Sequence, residues 1–186
     1  GRGLVHSEMP EQQEGLMRGF QLWVNLPATL KMSEPRYQEF APERLPVVHP
    51  VGGVTVKVIA GEVADADGTP VRGPIVQPAT DPLYLDFAPG AAWFFDLPAG
   101  HNAFVYVYEG AVSAGEGDDV RTVESHALAV LGGGERLTLR ADGDGARLIL
   151  VAGRPLREPV ARRGPFVMNT REELMQAFVD YQEGRF

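Results

Sequence analysis

The sequence contains no cysteine. That excludes thiol catalysis, cysteine-ligated zinc and iron–sulfur clusters. It fits a reducing compartment, and a cytoplasmic location is expected. Basic residues are also few: Lys and Arg total 17 against 25 Asp and Glu, for a formal net charge of −8. Duplex binding needs clustered cations that displace counterions. Arg162-Arg163 is the sole basic doublet and reads as a solvated pair, so no direct nucleic-acid partner is expected. No apolar run approaches the roughly 20 residues needed to span a bilayer. The first residues, Gly1-Arg2-Gly3-Leu4, lack signal-peptide anatomy, and no membrane partner is expected.

What remains is an ordinary globular composition. Hydrophobic residues make up 44% and charged residues 23% of 186. A chain of this length buries roughly 70% of its unfolded surface without staples. Gly (22) and Pro (15) punctuate the chain, and short Val-, Leu- and aromatic-rich runs lie between them. That spacing predicts many short strands, at the density of a jelly roll or barrel.

Several runs alternate with period two. Phe20, Leu22, Val24 and Leu26 predict one strand, and Val54, Val56 and Val58 another. Leu83–Phe87, Ala92–Leu97, Ala103–Tyr108 and Arg147–Ala152 follow. Glu109-Gly110 and Asp142–Gly145 read as turns. Residues 27–50 carry five prolines and read as a connector. Near the end, Thr170 with Glu173 three positions later forms a capping-box pattern. Leu174, Ala177, Phe178 and Tyr181 then share one helical face, which predicts a helix docked on a sheet.

The four histidines are His6, His49, His101 and His126. In His6-Ser7-Glu8, an imidazole and a carboxylate sit two positions apart, on one side of an extended chain. Together they offer N and O donors suited to a divalent first-row metal. Read alone, the pattern is equally a surface ion pair. His49 reads as an exposed connector residue, and His101 and His126 as loop residues. Trp23 and Trp93 read as core. Gly132-Gly133-Gly134 lacks the Lys-Ser/Thr of a phosphate loop and reads as a turn.

Several blocks together carry a resemblance. They are Gly1 to Pro10 with His6-Ser7-Glu8, Gln21-Leu22-Trp23-Val24-Asn25-Leu26, Glu34-Pro35-Arg36-Tyr37-Gln38 and Leu83-Tyr84-Leu85-Asp86-Phe87. Gly153 to Pro159 and Gly164 to Thr170 complete the set. In this order they resemble the pirins, proteins of two stacked cupin barrels. The resemblance implies an all-β cupin or jelly-roll barrel with a C-terminal α-helix, the second cupin complete and the first only partial. It divides the chain into a first-cupin remnant and connector (1–50), a C-terminal cupin (51–160) and a C-terminal segment and helix (161–186), which packs on the N-terminal cupin side.

The family's N-terminal barrel holds one iron through three histidines and a glutamate. His6 and Glu8 match the last histidine and the glutamate. The other two belong to an upstream His-x-His motif, which this sequence does not contain. This chain alone is therefore expected to bind metal weakly and to be inactive. Trp93-Phe94-Phe95-Asp96 occupies the place where a cupin offers its ligand pair, so the second barrel is expected to be metal-free.

Two functions follow from the resemblance. One is a quercetin 2,3-dioxygenase-type activity on a flavonol, with His6 and Glu8 as metal ligands and Glu8 also the catalytic base. The other is an iron- or redox-responsive regulator that binds a transcription factor or a metabolic enzyme. The strand at Gly19–Leu26, left without sheet partners, is also expected to promote a dimer.

Overall fold

The alternating apolar runs become strands because each buries one face and exposes the other. The structure, a computed structural model, describes residues 1–9, 14–76, 83–88 and 92–186. These fall into two units, Gln38–Pro155 and a second built from residues 1–37 and 156–186.

In the first unit the strands are β1 (Val47–Val48), β2 (Thr55–Ala60), β3 (Glu62–Ala64), β4 (Pro70–Arg72), β5 (Leu83–Ala88) and β6 (Trp93–Asp96). They continue as β7 (Asn102–Ala114), β8 (Arg121–Glu124), β9 (Leu128–Val130) and β10 (Arg136–Gly153). The main sheet runs β1-β2-β5-β10-β7-β8, with β6 also on β10 and β9 also on β7, and β3 and β4 form a separate hairpin. Every named pairing is antiparallel.

Two long strands turn this sheet into a barrel. The start of β10 pairs with β6 and its later half with β5. The start of β7 pairs with β9 and its end with β8. The strands therefore change neighbours partway along, which is how a bent strand serves two faces of a barrel. The bend lies where the β7–β10 register shifts between Asp142 and Ala146. Gly110 supplies the matching irregularity on β7 with φ 72°. The turns expected at Glu109-Gly110 and Asp142–Gly145 are thus irregularities within continuous strands.

The core follows the alternation. Val54, Val56, Val58, Leu85, Val105, Val107, Val112, Leu139, Leu148 and Leu150 are buried together. Trp93 joins them, and Phe95 stacks on it with ring centroids 5.4 Å apart. The aromatics of β6 therefore serve the barrel interior, except Phe94, which is exposed beneath the Arg136 guanidinium.

The second unit contains α1 (Ala28–Lys31), the hairpin β11 (Ala161–Arg163) with β12 (Phe166–Met168), and α2 (Arg171–Gln182). The capping box forms as the sequence predicts. The Glu173 backbone N–H donates to Thr170 Oγ1 at 3.1 Å, and the Thr170 backbone N–H donates to Glu173 Oε2 at 2.9 Å. Helix α2 docks on the hairpin. Leu174 is buried, and Phe166 meets Phe178 and Tyr181 edge-on at 4.9 and 6.0 Å.

The strand expected over Gly19–Leu26 is not present. Strand pairing needs a neighbouring backbone, and among the described residues none runs alongside this segment. Its side chains make the contacts instead: Gln21 bonds Glu8, Trp23 lies beneath the Arg162 guanidinium, and Asn25 bonds Lys31.

Candidate metal site

His6 and Glu8 lie on irregular backbone, yet their side chains converge. His6 Nδ1 is 3.7 Å from Glu8 Oε1, and both side chains are well exposed, at 52% and 69%. Gln21, thirteen positions further on, donates from Nε2 to the same Glu8 Oε1 at 3.2 Å. Gln21 is the site residue that sequence reasoning missed. Its only local sign is a polar side chain within a mostly apolar run, a feature it shares with Asn25.

The remaining histidines belong to the other unit, where their backbones serve turns and loop ties. The His49 backbone N–H donates to Asp65 Oδ1, and its ring lies 3.3 Å from Thr55 Oγ1. The His101 backbone N–H closes a turn onto the Pro98 carbonyl. His126 adopts φ 64°, and its backbone N–H donates to the Val107 carbonyl. Trp23, expected in the core, is 56% exposed. Trp93 is buried, as expected.

A family model described as the pirin C-terminal cupin domain matches residues 83–186. The chain belongs to the pirin family. A pirin-like protein of Caulobacter vibrioides is 53% identical over 188 residues, covering 100% of this chain and 65% of that protein. The pirin of Homo sapiens is 42% identical, covering 100% of this chain and 62% of its own length. This chain thus spans just under two thirds of these pirins. Among solved structures, a quercetin 2,3-dioxygenase of Acinetobacter baumannii superposes with a TM-score of 0.77 at 33% identity. That match covers 88% of this chain and 55% of the enzyme. The fold is a cupin with one C-terminal helix of twelve residues.

The pair fits a metal ion in kind but supplies only part of a coordination shell. An imidazole nitrogen and a carboxylate oxygen suit divalent iron and its neighbours. Bonds of about 2.0–2.2 Å to such donors allow both to reach one ion across a 3.7 Å gap. Among the described residues, no group of three or more His, Cys, Asp or Glu side chains gathers. Among them, too, no helix is long and apolar enough to cross a membrane.

Proposed function

We propose that this pirin-family chain supplies one imidazole and one carboxylate, His6 and Glu8, to a mononuclear iron site that oxygenates a flavonol. The observation that carries the reading is the convergence of these two groups at 3.7 Å. The likeness to the Acinetobacter baumannii quercetin 2,3-dioxygenase supports the substrate class. The family resemblance assigns the rest of the shell to histidines of a His-x-His motif, which this sequence lacks.

When bound, iron would provide a Lewis acid for vicinal flavonol oxygens and an electron path to dioxygen. The chain's own residues have separable tasks. His6 holds. Glu8 both holds and accepts the proton of a flavonol hydroxyl, a task open to an exposed carboxylate within hydrogen-bond reach of the substrate. One Glu8 oxygen, Oε1, accepts from Gln21, and the other would take the substrate proton.

The test is oxygen uptake with quercetin by the full-length, iron-loaded protein, with iron content measured on the same sample. Iron-dependent uptake that collapses in Glu8→Gln is expected. Parental turnover in Glu8→Gln would remove Glu8 from the mechanism. Retained iron with no uptake would replace the enzyme with the iron-responsive regulator.

A further inference from the structure

We propose that Gln21 is a positioning residue for Glu8: its amide fixes the carboxylate rotamer, and so the strength with which the site binds a divalent metal. The inference rests on the reading of His6 and Glu8 as metal ligands.

Glu8 has a flexible side chain, 69% exposed, on irregular backbone. Left alone, such a carboxylate samples many rotamers, and ordering it on metal binding costs side-chain entropy. Gln21 removes part of that cost in advance. Its Nε2 donates to Oε1, the same oxygen that faces His6 Nδ1. The amide therefore holds the carboxylate turned toward its imidazole neighbour. A hydrogen bond to a ligating oxygen also directs its remaining lone pair. Such supporting contacts are worth about 10–100-fold in metal affinity.

The position of Gln21 is itself fixed. Two residues on, Trp23 lies 4.9 Å beneath the Arg162 guanidinium. Four residues on, Asn25 Oδ1 accepts from the buried Lys31 ammonium at 2.7 Å. The segment is thus tied down on the C-terminal side of Gln21, and the amide reaches Glu8 from an anchored backbone.

The experiment measures Co(II) affinity, and the visible spectrum of bound Co(II), for the full-length protein and four variants. Gln21→Met keeps the length of the side chain but has no donor. It is expected to weaken Co(II) binding about 10–100-fold and to shift the spectrum, as the carboxylate changes its mode of binding. Gln21→Asn keeps the amide donor on a side chain one methylene shorter and is expected to recover part of the loss. Unfolding midpoints of both should match the parent, which separates positioning from folding. His6→Ala and Glu8→Ala test the underlying reading: if neither weakens Co(II) binding, the site itself is wrong. If both abolish binding while Gln21→Met matches the parent in affinity and spectrum, the positioning role of Gln21 is overturned and the site stands.

Discussion

The ammonium of Lys31 donates to Asn25 Oδ1 at 2.7 Å, tying a helix end to the segment that carries Gln21. The same ammonium donates to the Val167 carbonyl at 3.0 Å, on the β11–β12 hairpin. Lys31 is a charged side chain and yet only 6% exposed. Charged hydrogen bonds contribute about 1.5–3 kcal/mol each, and burial of the charge offsets part of that. Lys31→Met is therefore expected to lower the unfolding free energy by about 1.5–3 kcal/mol. Urea denaturation checks it, and an unchanged midpoint would show that the clasp contributes nothing.

The same residue predicts a pH signature. Burial lowers the Lys31 pKa from the ordinary lysine value, and the nearby Glu158 and Glu173 oppose that shift without cancelling it. Just below the ordinary lysine pKa, the unfolded chain therefore holds this proton when the folded chain has released it. Stability from this group rises with pH through that alkaline window, because the unfolded state binds more protons there. Below the folded pKa both states are charged and the dependence vanishes. Comparing the slope of stability against pH between the parent and Lys31→Met isolates the effect. The parent slope should be the more positive.

Glu158 is a second tie within this unit. Its Oε2 accepts the Ala28 backbone N–H at 2.7 Å and the Asn169 side-chain amide at 3.0 Å. Neither this knot nor the Lys31 clasp was legible in the sequence. Each joins residues far apart in the chain, and no local pattern records which distant partner a side chain will find. The Thr170-to-Glu173 cap was legible because its bonds span three positions. The Val54-Val56-Val58 alternation was legible because burial on one face is a local property of a strand. Gly19–Leu26 shows where that signal misleads. Alternation reports apolar preference, but a strand also needs a backbone beside it. For the candidate site, the His6-Ser7-Glu8 pattern pointed to two donors on one side. Gln21 was invisible, since its role depends on a fold-back of thirteen residues.

The helix cap offers a cleaner stability measurement. Thr170→Ala deletes the Oγ1 acceptor and leaves a first-turn N–H of α2 unsatisfied. The expected cost is about 1 kcal/mol. Thr170→Ser keeps the acceptor and should recover most of it. Because Phe178 and Tyr181 dock α2 on Phe166, fraying should also raise amide exchange in the first turn of the helix before the barrel is affected. Identical exchange rates in Thr170→Ala and the parent would refute the assignment.

The barrel's bend depends on Gly110. Its φ of 72° lies in the left-handed region, which costs an L-residue about 1–2 kcal/mol. Space is a second obstacle. A Cβ built there would sit 2.2 Å from the Gly145 carbonyl oxygen and 3.0 Å from the Ala146 Cα, both backbone atoms of the opposing strand. Relief requires β7 and β10 to part where their register shifts. Gly110→Ala is therefore expected to cost more than about 2 kcal/mol, beyond the conformational penalty alone. Gly153→Ala is the matched control at the end of β10, since a Cβ there meets nothing within 4 Å. Its effect should be neutral or stabilising by about 0.4–1 kcal/mol through the unfolded chain. Thermal unfolding of the two variants decides the matter. Equal midpoints would mean that the bend tolerates a side chain and is set elsewhere in the β7–β10 pair.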